Sequence, residues 1–194
     1  MENELTIRLS AFLVLFLLFA LLESYWPRRK RVYSRLSRWP THWAITAINA
    51  LILRALSFGL PLLAVGAALD ASQSGLGLFN HLNWPIWVEF TICVLVLDFS
   101  IWVQHLITHK VPVLWRLHRV HHSDEDMDVT TAIRFHPVEI ALSMFLKIGL
   151  VYLIGPAALA VIVFEVLLNG TAMFNHANIS IPKPIDAVLR KVIV

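Results

Sequence analysis

Long apolar runs separated by short polar links set the layout of the chain. Leu5 to Leu22 is apolar apart from Thr6, Arg8 and Ser10, and Tyr25 and Trp26 follow it as residues suited to a membrane interface. A first membrane span is predicted there. The start carries Glu2 and Glu4 rather than a basic region, and no Ala-x-Ala site follows, so a retained span is expected rather than a cleaved leader. Thr41 to Leu69 predicts one long crossing, tilted or kinked, with Gly59 and Pro61 placed to bend its outer part. Asp70 to Trp84 lacks Lys and Arg, and its Ser, Gly and Asn residues read as a loop. A third span runs from Trp84 through Ile107. Val138 to Ile154 and Ala157 to Phe174 form two arms around Gly155-Pro156, each at the short end of what crosses a bilayer. That hairpin either barely spans or re-enters.

The predicted fold is all-α and integral to the membrane, with four to five transmembrane or re-entrant helices and a cytoplasmic, histidine-rich helical cap. Residues 1–40 read as the first transmembrane helix and a basic cytoplasmic loop, and 41–194 as the main membrane domain. Composition agrees: 58% of residues are hydrophobic and only 15% charged, which excludes an ordinary soluble domain. Cys93 is the single cysteine, so no intrachain disulfide and no cysteine-based metal site can be built, leaving nitrogen and oxygen ligands. The net charge of +3 does not point to nucleic acid, because the basic residues sit beside apolar runs. Arg28-Arg29-Lys30-Arg31 with Arg35 and Arg38 is the densest basic run, and the positive-inside rule makes it cytoplasmic with the N-terminus outside.

That topology gathers seven histidines at one membrane face: His105, His109, His118, His121, His122, His136 and His176. Six of the nine histidines fall within residues 105–136. Residues four apart share a helix face, so His105 pairs with His109 and His118 with His122, with His121 adjacent. Imidazole suits iron, zinc, copper and nickel. Seven imidazoles exceed the four ligands of a structural zinc, so two metals are the natural count. His81, assigned outside, and His42, at an inner interface without a histidine neighbour, read instead as ordinary interfacial side chains.

The segments Asp98-Phe-x-x-Trp-x-x-His105-x3-His109, Leu114-Trp-Arg-x-His-Arg-Val-His-His-Ser123, Asp128-Val-Thr-Thr-Ala-Ile-Arg-Phe-His136-Pro-x-Glu139 and Phe174-Asn-His-Ala-Asn178 resemble the fatty acid hydroxylase or sterol desaturase superfamily of membrane di-iron oxygenases. About a third of the chain carries these motifs. The resemblance implies His105, His109, His118, His121 and His122 as ligands, His176 as a further ligand, and His136 as a ligand or a group orienting one. It also implies two non-haem iron ions, O2, and hydroxylation or desaturation of a lipid C–H bond in a sterol, fatty acyl chain, carotenoid or ether lipid. Electrons would come from a ferredoxin- or cytochrome-type donor with its reductase, docked on the basic inner face; anionic lipid is the competing partner for that face. The family has a further His-x2-His-His box downstream of the Asn-His position, and this chain has no histidine after His176. The expectation is a chain that stops short of that box, the alternative being a short variant with an incomplete or inactive site.

Orienting groups are expected at Asp98, Asp128, Arg134, Glu139 and Asn175. Asp124 and Asp126 are further candidates for orienting carboxylates, one of which Arg134 could fix, but a solvated acidic loop is the favoured reading for Asp124 to Asp126. Charges inside spans call for partners. Arg54 and Asp98 lie at similar predicted depth and are expected to pair or share water, and Lys147 and Glu165 are expected to meet across the hairpin. Two rival functions remain. A zinc hydrolase lacks its His-Glu-x-x-His helix here, and a metal carrier needs ligands at mid-bilayer, where these histidines do not lie.

Overall fold

A computed structural model describes residues 4–57 and 63–191. Among them lie α1 (Glu4–Tyr25), α2 (Arg35–Ser57), α3 (Ala64–Gln73), α4 (Ile86–Lys110), α5 (Pro112–His122), α6 (Pro137–Ile154), α7 (Ala158–His176) and α8 (Lys183–Leu189). Short 3-10 turns occupy Leu78–His81 and Val129–Ile133. The described residues include no strand beyond one isolated bridge, Pro27 to Ile179. Helices α1, α4, α6 and α7 are long and apolar enough to cross a membrane, and their outward faces carry exposed Leu, Ile, Val and Phe as lipid-facing surfaces do. The fold is thus all-α and multi-pass.

The run from Thr41 to Leu69 is not one continuous helix. It divides into α2, which starts earlier at Arg35, and the separate α3; the expected bend residues Gly59 and Pro61 lie outside the described residues. Helix α2 carries Arg35, Arg38 and Arg54 and is not among the four apolar spans. Helix α3 is short and buried, with Ala64, Val65, Gly66, Ala67, Ala68 and Ala71 enclosed. Its small side chains let it pack against α6 and α7, where Ala64, Val65, Ala67 and Ala68 share a core with Met144, Val151, Val161 and Ile162. Hydropathy alone does not separate such a buried short helix from the outer half of a span.

The hairpin turns as expected. Gly155 ends α6 in the left-handed conformation, φ 63°, where glycine has no Cβ penalty. The Gly77 loop lies directly on it, so close that a Cβ at Gly77 would fall 2.3 Å from the Gly155 nitrogen. The Lys147 to Glu165 pair forms at 2.9 Å. Helix α1 adds a partner that the hairpin by itself does not suggest: Arg8 reaches the other Glu165 oxygen at 2.6 Å and also binds Glu4 at 2.8 Å. The four groups alternate in sign and sum to zero. Arg54 and Asp98 both stand exposed, on α2 and α4.

On the histidine side, Phe16 and Ala20 of α1 pack with Val129, Ala132 and Met173, and Trp39 and Trp43 close over Phe16 with ring centroids 5.6 and 5.2 Å away. This core joins α1, α2, the Val129–Ile133 turn and the end of α7. Removing one member of a buried ion pair strands its partner, at a cost of about 3 kcal/mol. Glu165→Gln is therefore expected to lower stability by that order, and Lys147→Met added to it to recover much of the loss, as read from thermal unfolding in detergent.

Candidate metal centre

The site begins with a corner. Val111, extended at φ −91° and ψ 117°, ends α4, and Pro112 opens α5 at the one helical position where a missing N–H costs nothing. One residue thus separates two helices, and the histidines at the end of the first face those on the second. A ligand nitrogen from each of His105, His109, His118 and His122 lies within 4.8 Å of every other. Nε2 of His109 is 3.1 Å from that of His105, and Nε2 of His122 is 3.2 Å from His109 and 3.1 Å from His118. Metal–nitrogen bonds of 2.0–2.1 Å give tetrahedral edges of roughly 3.3 Å. The three separations of 3.1–3.2 Å match that edge, so the four imidazoles form a group that could hold one metal ion. The Trp115 indole lies against His109 and His122, with centroids 5.4 and 5.7 Å away.

His118 is fully buried, and its Nδ1 meets Glu139 Oε1 at 2.6 Å. A carboxylate only accepts, so Nδ1 carries the proton and Nε2 presents its lone pair to the cluster. Glu139 is itself buried in the first turn of α6. A second imidazole pair adjoins the first group: Nε2 of His121 and of His176 are 2.8 Å apart, and the His121 ring is 5.0 Å from that of His122. His176 Nδ1 donates to the Ala172 carbonyl at 2.7 Å, which aims its Nε2 lone pair at His121. Phe135 lies flat on the His121 ring, 4.5 Å away and inclined by 6°. The His121 Nδ1 is buried with no hydrogen-bond partner among the described residues.

Burial, together with the neighbouring His176, pushes the His121 imidazole down to about 2. Burial, then His118 and His109, pushes His122 down to about 4. Both rings are neutral at pH 7, the form that binds metal.

The structure brings six of the seven expected histidines into these two adjoining groups. His136 caps α6 instead: its Nδ1 accepts the Val138 N–H at 3.1 Å. Asp98 and Asn175 are exposed on α4 and α7. Asp128 is fully buried, accepting from Thr130 N–H at 2.9 Å, Arg38 Nη1 at 2.9 Å and Trp39 Nε1 at 3.1 Å. Arg134 donates to Ser123, one residue past His122, at 2.8 Å.

Two expectations are corrected. Asp124 is not a solvated loop charge, and Asp126, though half-exposed, is tied down as well. Arg38 grips Asp124 with two bonds of 2.9 and 2.6 Å, and Asp126 accepts the backbone N–H of Val32 at 2.7 Å. Burial alone would raise the Asp124 carboxyl, but hydrogen bonds from Arg38 and Thr131 outweigh it and hold the group below the usual range. His42 is not a bland interfacial side chain either, being 1% exposed. The Thr130 hydroxyl donates to Asp128 and accepts His42 Nδ1–H at 2.7 Å, leaving His42 Nε2 to face Arg134 at 3.3 Å. No neighbour of His42 in the sequence signals this; its partners are some 90 residues away.

A family model described as fatty acid hydroxylase matches residues 90–193, more than half of the chain. The chain belongs to the fatty acid hydroxylase family. It is 22% identical over 151 residues to the ornithine lipid hydroxylase OlsE of Rhizobium tropici, covering 76% of this chain and 44% of that protein. It is 33% identical over 78 residues to the alkylglycerol monooxygenase of Xenopus tropicalis, covering 40% of this chain and 17% of that protein. With the fatty acid hydroxylase vlmA of Lecanicillium sp it shares 36% over 63 residues, 31% of this chain and 17% of that protein. The chain thus spans less than half the length of each of these curated relatives. No solved structure matches it.

A histidine whose folded pKa lies below its unfolded value of about 6.5 binds fewer protons folded than unfolded, so stability is lost as pH falls through that interval. The metal-free protein is expected to lose stability from about pH 6.5 downward, continuing to about 4 for His122. Unfolding midpoints over a pH series check this, and His122→Asn should flatten the slope.

Proposed function

We propose that this family member is an O2-dependent non-haem di-iron enzyme that oxidises a C–H bond of a membrane lipid. The observation that carries the reading is the convergence of four imidazole nitrogens within 4.8 Å beside a second, adjoining pair. In it His105, His109, His118 and His122 hold one iron, and His121 and His176 contribute to the other. Iron bound there would supply the O2 chemistry needed for an alkyl C–H bond, which no side-chain acid or base can break.

The chain's own residues do the rest. Glu139 and the Ala172 carbonyl fix the tautomers of His118 and His176, so that each offers a lone pair and neither rotates away. Phe135 holds the His121 ring flat and, with the core under Phe16, keeps water from that side. Asp128, Arg38, Asp124 and Arg134 form a braced layer that ends on Ser123 and so steadies the end of α5. His136 serves as the cap that starts α6 and places Glu139. Apolar faces of the spans offer an alkyl chain a path alongside the site.

The relatives bear hydroxylase and monooxygenase names, which favours hydroxylation over desaturation here. In this reading the basic residues from Arg28 to Arg38 mark the cytoplasmic face, with the N-terminus outside and the histidines inside. Residues 1–40 then comprise an anchoring helix, its basic loop and the first turns of α2, and 41–194 the catalytic membrane domain. A ferredoxin- or cytochrome-type donor with its reductase delivers the electrons at that face.

The test is iron content and oxygen transfer. Protein purified in detergent and supplied with iron, a reduced ferredoxin, an alkyl lipid and labelled O2 should bind two irons and give lipid carrying one labelled oxygen by mass spectrometry. His118→Ala should lose the iron of the four-imidazole group and abolish oxygen transfer, and Glu139→Gln should weaken iron binding there by about 10- to 100-fold. One tightly held zinc per chain, with no label in the lipid, would reject the reading.

A further inference from the structure

Among the buried acids away from the imidazoles, Glu23 near the end of α1 has no exposed surface at all. Its carboxylate is held from several directions. Oε1 accepts the backbone N–H of Val129 at 2.7 Å and that of Asn178 at 2.8 Å, while Oε2 accepts from Arg35 at 2.7 Å and Arg31 at 3.5 Å. Both backbone partners are distant in sequence, and each leads to one ring of the same imidazole pair. Asn178 stands two residues after His176. Val129 opens the 3-10 turn that leads to Phe135, the ring lying flat on His121.

The position of His176 makes such a hold useful. Helix α7 ends at that residue, and Ala177 is already extended at φ −62° and ψ 132°, so helical bonds no longer fix the chain beyond it. The backbone there is tied instead to the link between α1 and α2. Arg28 N–H donates to the Asn178 carbonyl at 3.2 Å, the Asn178 side chain exchanges two bonds with Arg29 at 2.9 and 2.8 Å, and Ser180 N–H donates to the Trp26 carbonyl at 2.8 Å. The four-imidazole group has none of these connections. It rests on the α4–α5 corner, on Glu139 and on the Arg134 bond to Ser123.

We propose that Glu23 is a positioning residue for the His121–His176 half of the centre: one carboxylate oxygen sets the backbone after His176 and the turn behind His121 together. The inference rests on the reading of His176 as a metal ligand. It also gives the first helix, outside the family-matched region, a part in building the site.

Cobalt(II) titration of the purified chain in detergent tests it. His176→Ala and His118→Ala first define the absorption components that depend on each half. Glu23→Ala is expected to lose the His176 component, or to bind it about tenfold more weakly, while keeping the His118 component. Glu23→Gln, whose amide oxygen still accepts both backbone N–H groups, should retain both. In metal-free protein, amide exchange at Asn178 should quicken by about tenfold in Glu23→Ala and not in Glu23→Gln. A wild-type cobalt spectrum in Glu23→Ala, or parallel loss of both components, would overturn the proposal. If His176→Ala itself leaves the spectrum unchanged, the metal-centre reading fails and this inference falls with it.

Discussion

Several imidazole lone pairs aimed at one point repel one another and cannot all be satisfied by mutual hydrogen bonds, so the surrounding fold has to hold them there. Here that work is divided. A single extended residue before Pro112 folds α5 back on α4. Glu139 commits the outer nitrogen of His118, and the Ala172 carbonyl does the same for His176. A metal bound by these nitrogens would relieve the remaining repulsion, and the neutral forms of His121 and His122 suit that: burial has already removed the competing proton.

The parts of the site governed by local spacing were legible in the sequence. His105 and His109, and His118 and His122, are one helical turn apart and do face each other, and the arms around Gly155 do bring Lys147 to Glu165. What could not be read depends on distant segments. Arg8, Glu23 and His42 meet partners from about 90 to 157 positions away, and no periodicity encodes such contacts. The break between α2 and α3 was hidden because a buried helix of small residues has the hydropathy of a span. Asp124 and Asp126 looked like loop charges because acidic residues after a histidine run give no hint of the arginine that holds the first or of the distant backbone N–H groups that hold the second.

These long-range contacts change what the first quarter of the chain is for. Arg38 and His42 brace the turn behind the imidazoles, and the α1–α2 link lies along the segment after His176. The match to the fatty acid hydroxylase family starts only at residue 90. Helices α1 and α2 are therefore structural walls of the imidazole cluster and not just a tether to the bilayer.

The charged pair inside the hairpin has a consequence for biogenesis. A lone lysine or carboxylate near the middle of a helix opposes its entry into lipid by about 2.5–3.5 kcal/mol, and each arm of this hairpin is short and carries one of them. Passing from translocon to bilayer together, with Lys147 already on Glu165, the two arms cancel most of that opposition. A ribosome pausing between them would leave the first arm stranded, so α6 and α7 make sense as one unit of insertion, with Arg8 waiting in the membrane to receive it.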